Sequence, residues 1–150
     1  MRKLLLVSSA AILIMGSAAR AEIECLAEEL REAFDNTPES LQSSGVGEAR
    51  GEAADNLENI DLSSIDDDFP SWLAEQKVTV RLHKHGKRGA SRAVRRDEAC
   101  ELLDAVADLV RKLEEKQDDT DKGAAMAEFA DSLDEIKDAA EAVDFPGMYG

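Results

Sequence analysis

The chain has 150 residues, of which 18 are Lys or Arg and 33 are Asp or Glu, so its formal net charge at pH 7 is −15. This length allows one small domain and argues against two. The negative charge excludes a generally basic nucleic-acid binder, because a phosphate backbone would be repelled by most of the surface. Beyond the first 21 residues the sequence has no apolar run of membrane-spanning length, so stable membrane insertion is not expected.

The first 21 residues have the pattern of an export signal. Arg2-Lys3 precedes the apolar stretch Leu4–Met15, and Ala19-Arg20-Ala21 has the small-x-small form that a signal peptidase reads. A transmembrane anchor is the alternative, but the apolar stretch is short for one. We therefore predict a signal peptide over 1–21, a single helical domain over 22–150, and a periplasmic or secreted location. Removing the signal deletes three basic residues and no acid, so the net charge becomes −18.

The N-terminal part of the expected mature chain predicts two helices. Apolar residues recur at helical spacing from Glu22 to about Asp35, and Asn36-Thr37-Pro38 ends this helix because the residue before a proline avoids helical angles. The stretch 48–60 is rich in Ala and Glu and predicts a second helix that ends near Ile60. Leu, Ile, Val and Phe are only about 21% of the mature chain, so we expect a small core.

A basic segment, residues 77–96, follows. It carries eight Lys or Arg and no acid, whereas the rest of the expected mature chain carries a charge of −26. Within it, Val78, Val80 and Leu82 alternate with polar residues, which predicts a short strand. No second strand pattern offers it a partner within the chain.

Three interpretations of the basic segment remain open. It pairs internally with acidic helices, or it binds an acidic protein or an anionic envelope component, or it contains the processing sites Lys87-Arg88 and Arg95-Arg96 of a secreted precursor. The segment has no aromatic residue, so stacking on nucleic-acid bases is not indicated. The residues selected for partner binding are its central and C-terminal cations: Arg81, Lys84, Lys87, Arg88, Arg92, Arg95 and Arg96.

The C-terminal third predicts two longer helices. One apolar stripe runs from Asp97 to about Gln117, and a second runs from about Ala124 to Val143. A short polar link joins them, which predicts an antiparallel pair. The expected fold is all-α, a small three- or four-helix bundle with a basic extended or strand-like connection.

Cys25 and Cys100 are the two cysteines of the chain. An even number of cysteines in an oxidising compartment indicates a disulfide, so we predict a Cys25–Cys100 bond at the edge of the bundle. By the chain-entropy argument this bond would stabilise the fold by roughly 4 to 5 kcal/mol. Two buried free thiols are the alternative. A metal or redox site is not indicated, because the sequence contains no Cys-x-x-Cys and no Cys–His cluster.

The sequence favours a non-catalytic function. It contains no Gly-x-Ser-x-Gly, phosphate loop, dinucleotide fingerprint or His-Glu-x-x-His, so neither an enzyme nor a cofactor is expected. His83-x-His85 has a spacing that metals use but lies among cations, so no metal is expected either. We predict an exported binding protein of the inhibitor, immunity, chaperone or accessory-subunit kind. The alternatives are the secreted precursor and an acid-responsive periplasmic chaperone, since much of the negative charge disappears near pH 4.

Overall fold

A computed structural model describes residues 4–8, 10–75, 77–81 and 90–146. Within these ranges most residues are helical, so the all-α prediction is confirmed. The helices are α1 (Ala10–Asp35), α2 (Glu39–Gln42), α3 (Gly45–Glu58), α4 (Ser64–Asp67), α5 (Arg92–Glu114) and α6 (Thr120–Glu141), with a 3₁₀ turn over Ser71–Glu75. None of the helices in the described part of the chain is both long and apolar enough to cross a membrane.

Helices α1, α3, α5 and α6 are the long ones, whereas α2 and α4 are single turns. Helix α1 contacts both α3 and α5, and α5 packs along α6. The contacts between α5 and α6 run in opposite directions, so the predicted antiparallel pair is confirmed. The largest fully buried side chains come from all four long helices and from the link between α3 and α5: Phe129, Ile12, Ile23, Leu26, Leu30, Leu57, Ile65, Leu73, Leu103, Met126, Leu133 and Val106.

Capping residues fix the starts of α5 and α6. The Ser91 hydroxyl accepts a hydrogen bond from the backbone N–H of Val94, so α5 starts at Arg92, five residues before the start expected from its apolar stripe. The Asp119 carboxylate accepts from the backbone N–H groups of residues 121 and 122, so α6 starts at Thr120 instead of Ala124. Both helices therefore begin in polar sequence that the apolar pattern does not include.

In the full-length chain helix α1 begins at Ala10, twelve residues before the start predicted for the mature chain. The helix runs without interruption through Ala19-Arg20-Ala21, the expected cleavage site. Ile12 and Ala19 are fully buried on it, and a Cβ built on Gly16 would lie 3.1 Å from the Ile65 Cγ2 atom. The second half of the expected signal peptide is thus part of the core of the full-length chain.

The turn between α2 and α3 requires a glycine at position 47. The Ser44 hydroxyl caps α3 by accepting from the Gly47 N–H at 3.2 Å. A Cβ at this position would overlap the backbone carbonyl oxygens of Leu41 and Gln42. The hairpin that connects the two helices therefore closes only because residue 47 has no side chain.

The strand β2 (Lys77–Arg81) pairs antiparallel with β1 (Leu4–Ser8), in a register that places Ser8 opposite Lys77 and Leu4 opposite Arg81. The sequence offered no partner for this strand, because the leucine-rich start of the chain was assigned to the signal peptide. A chain cleaved after Ala21 would not contain the pairing. The middle of the basic segment, residues 82–89, lies outside the described residues.

The 3₁₀ turn packs near the start of α6. Phe69, just before the turn, contacts Phe129 edge to face with ring centroids 5.5 Å apart. Trp72 is partly buried, and the Lys122 Nζ atom lies 5.2 Å from the centroid of its ring. These contacts join the α4 region to α6. Leu73, in the same turn as Trp72, is fully buried in the core.

The predicted disulfide between Cys25 and Cys100 is wrong. Both cysteines are free; Cys25 is exposed and Cys100 is buried. Cys25 contacts Arg95 on α5, whereas the Cys100 thiol faces α6 and lies 3.9 Å from the carbonyl oxygen of Lys137. Five residues along a helix correspond to a rise of about 7.5 Å and a rotation of about 140°, so the two thiols lie on different sides of α5.

Candidate functional site

The start of α5 carries the C-terminal arginines of the basic segment, and it packs against α1. Arg92 and Arg95 are three residues apart and so lie on one face of α5. Glu22, Cys25 and Glu29 are spaced by three and four residues and lie on one face of α1. Where these two faces meet, they form what we call the arginine junction: Arg92, Arg95, Glu22, Cys25 and Glu29.

Arg95 is the centre of the arginine junction. Its Nη1 atom donates to both carboxylate oxygens of Glu29, at 2.8 and 2.9 Å, and its Nε atom donates to Glu22. Its Nη2 atom lies 3.6 Å from the Cys25 sulfur. The Arg95 side chain is only 24% exposed. One guanidinium therefore connects α5 to two carboxylates of α1 that lie two helical turns apart.

Arg92 lies beside the same carboxylate. Its Nε atom is 3.6 Å from Glu29 Oε2, is shielded from solvent, and makes no hydrogen bond in the structure. The contact is an ion pair without a hydrogen bond, so it is weaker than the pair made by Arg95. Two cations of the basic segment thus share one acid of α1.

Arg96 points in another direction, toward the end of α6. It donates to the Val143 carbonyl oxygen at 2.6 Å and to Asp97 at 2.7 Å. Its guanidinium also lies 5.3 Å from the centroid of the Phe145 ring, which is within the range of a cation–π interaction. Arg96 therefore joins the start of α5 to the chain that follows α6.

The ion pairs shift the pKa values of their members. Burial acts to raise the pKa of Glu29, but the hydrogen bonds and charge of Arg95 outweigh burial, and the pKa lies below its ordinary value. The pKa of Arg95 is raised, chiefly by the hydrogen bond to Glu29. The Glu29–Arg95 pair is therefore charged at neutral pH and loses its negative partner only in acid.

The seven residues selected for partner binding fall into three groups. Arg92, Arg95 and Arg96 lie on α5 and pair within the chain. Arg81 is the last residue of β2. Lys84, Lys87 and Arg88 lie outside the described residues, as does the dibasic site Lys87-Arg88. The other dibasic site, Arg95-Arg96, lies inside a helix.

The sequence analysis did not identify Glu22 and Glu29 as the acidic partners of Arg95. Glu22 and Glu29 are 66 or more positions from Arg95 in the chain, so no local pattern connects them to it. Their spacing of seven residues, two helical turns, marks them as neighbours on one face of α1. That spacing was the one available signal that α1 presents an acidic stripe beside Cys25.

A second feature is an open cleft of about 530 Å³ between α5 and α6. It is lined by Cys100 together with acids and two cations of both helices, among them Lys137, whose Nζ atom lies 3.0 Å from Asp104. Burial and the nearby Glu141 carboxylate raise the pKa of Cys100 to about 11. The thiol is therefore protonated at neutral pH, which makes it a poor nucleophile.

Two further open clefts have volumes of about 420 and 480 Å³ and are lined by residues on and after α3, together with α1 in one and α6 in the other. Within the described ranges, no group of three or more His, Cys, Asp or Glu residues is arranged to hold a metal ion. The linings mix carboxylates and hydroxyls with apolar side chains, and both clefts are open, so they offer contacts at a surface and do not enclose a small molecule.

Comparison with family models, with curated proteins and with solved structures gives no match for this chain. Any functional proposal therefore rests on the geometry and charge of the chain itself.

Proposed function

We propose that the protein is an exported, non-catalytic binding protein whose basic segment contacts an acidic protein or an anionic envelope component. The observation that supports this proposal is the arginine junction, which fixes the C-terminal end of the segment to α1 through Arg95, Glu22 and Glu29. The end of the segment that carries Arg92 and Arg95 is thereby held in a defined position on α1. This lowers the conformational entropy that a partner must remove on binding.

The charge distribution favours one orientation for an acidic partner. The expected mature chain outside the segment carries −26, whereas the segment carries eight positive charges. An acidic surface is repelled by the first and attracted by the second, so the partner is steered to the segment.

The contacts of the selected residues divide them into two roles. Arg92 and Arg95 pair with carboxylates of α1. Arg96 pairs with Asp97 and donates to carbonyl oxygens at and after the end of α6, so these three arginines anchor the segment. The contact residues in this proposal are the cations that precede them: Arg81, Lys84, Lys87 and Arg88.

A charge-reversal experiment tests this proposal. The variant Lys87→Glu/Arg88→Glu is compared, as bait for affinity capture from an envelope extract, with Lys112→Glu/Lys116→Glu, which makes the same change in net charge at two exposed lysines near the end of α5. We expect species that bind the wild type and the control variant, that are lost with the first variant, and that are released by salt. An identical bound set for all three baits, or binding indifferent to salt, contradicts the proposal.

The intact mass of the exported protein tests the remaining parts of the proposal. A product that spans 22–150 agrees with an exported binding protein. Fragments that end at Arg88 or Arg96 would instead support the precursor interpretation, in which the helices are spacers. A product of 150 residues would contradict export with cleavage.

A further inference from the structure

The expected signal peptide covers an apolar surface of the mature domain. Gly16 packs directly on Ile65 of α4, and Ile12 and Ala19, on the same side of α1, are fully buried. The 3₁₀ turn that carries the buried Leu73 lies at this end of α1, because Ser8 pairs with Lys77 immediately before the helix and after the turn. Removal of residues 1–21 therefore takes away the helix that covers Ile65.

The rim of this surface is acidic. Arg20, one helical turn after Gly16, pairs with Asp66 next to Ile65, and its Nε atom also donates to Glu24 at 2.8 Å. The pKa of Arg20 is raised, first by the hydrogen bond to Glu24 and further by Asp66. Cleavage after residue 21 removes this cation and leaves both acids on a domain whose net charge is −18.

Cleavage must precede folding for this surface to become free. Ala19 is fully buried and the backbone at the cleavage site is helical, so a peptidase reaches it only in the unfolded or locally opened chain. A chain that is cut first and then folds lacks the helix 10–21. A chain that folds first keeps it and protects it.

We propose that the surface around Ile65 and Asp66 is, in the cleaved protein, a docking site for a cationic apolar α-helix of a partner. The helix 10–21 shows the chemistry that the site takes: an apolar residue at position 12, a small residue at position 16 against Ile65, and a cation at position 20 beside Asp66. This site is separate from the basic segment. It rests on the proposed function only in requiring that export removes residues 1–21.

The test uses a synthetic peptide of residues 10–22 as the probe and the processed protein recovered from a bacterial host that exports it. Ile12 and Ile14 provide a matched pair, since the first is fully buried and the second is 67% exposed on the same helix. We expect the native peptide and the Ile14→Asp peptide to bind, and the Ile12→Asp peptide to bind about tenfold more weakly or worse. The uncleaved chain should bind none of them, because its own helix fills the site.

The outcomes separate this proposal from the proposed function. A product that remains uncleaved refutes export with cleavage, whereas a folded 22–150 that binds no peptide refutes only the docking site. Equal binding of the two aspartate peptides, or equal binding by the uncleaved chain, also refutes the site. A processed chain that forms a dimer and binds no peptide likewise refutes the surface as a docking site for a partner helix. If the processed chain is unfolded alone, recovery of helix with the native and Ile14→Asp peptides supports the site, and no recovery overturns it.

Discussion

Replacement of Arg95 by Ala measures how strongly the arginine junction holds α5 to α1. The change removes two hydrogen bonds to Glu29, at 2.8 and 2.9 Å, and one to Glu22. Arg95 is 24% exposed and Glu29 is 37% exposed, so solvent screens the pair in part and the cost is smaller than that of breaking a fully buried pair. We expect the free energy of unfolding to fall by roughly 1 to 2 kcal/mol.

The assay is urea unfolding of the full-length chain followed by far-UV circular dichroism, with a double-mutant cycle of Arg95→Ala and Glu29→Gln. We expect a coupling energy of about 1 kcal/mol between the two sites. Lys112→Ala, which removes the same charge from an exposed position, serves as the control and should leave stability nearly unchanged. A coupling energy indistinguishable from zero would show that the two side chains do not interact, and would refute the anchoring argument.

The same pair predicts a pH dependence. The folded-state pKa of Glu29 is lowered from its ordinary value of 4.5, so the pair stabilises the fold above about pH 4.5 and this contribution is lost as the pH falls through the lowered pKa. Acid also relieves the repulsion among the many carboxylates, so the measured quantity is the difference between the wild type and Glu29→Gln. That difference should be present at neutral pH and vanish in acid. A difference that is constant with pH contradicts the prediction.

Three further predictions concern packing and the cysteines. In urea unfolding of the uncleaved chain, Ile12→Ala should cost about 2 to 4 kcal/mol and Ile14→Ala less than about 0.5 kcal/mol, because only Ile12 is buried. Equal costs would contradict this difference in burial. By the same measurement, Gly47→Ala should lower the free energy of unfolding by about 2 kcal/mol or more, because its Cβ would overlap two carbonyl oxygens. Gly123→Ala, whose Cβ meets nothing within 4 Å, should raise the free energy of unfolding by about 0.5 to 1 kcal/mol. The reverse order would contradict the turn geometry at Gly47. Alkylation without reductant, read by intact mass, should modify one thiol in the native protein and Cys100 only after unfolding, and a requirement for reductant would contradict free cysteines.

The helices that pack through a continuous apolar stripe could be predicted from the sequence, whereas their ends could not. The stripes of α5 and α6 predicted an antiparallel pair that the structure confirms. Both helices start earlier than predicted because Ser91 and Asp119 cap them, and a capping side chain has no place in a periodic apolar pattern. Helix α1 starts earlier still because Ile12 packs in the core, and a cleavage motif carries no information on packing.

The site could be predicted only in outline. The sequence marked residues 77–96 as basic and left internal pairing open as one interpretation. It could not identify the partners of Arg95, because these depend on how α5 docks on α1 and not on any local spacing. The disulfide prediction failed for the same reason. The number of cysteines indicates a bond, but only the packing decides which face of α5 each thiol meets.

Trp72 gives the molecule an internal optical reporter. It is the one tryptophan in the sequence, it is partly buried, and Lys122 lies over its ring. Its fluorescence therefore reports the joint between the 3₁₀ turn and the start of α6, whereas circular dichroism reports all the helices together. The turn also lies near the surface around Ile65. If the fluorescence of Trp72 changes at a lower urea concentration than the circular dichroism signal, this contact between the turn and α6 opens before the helices unfold.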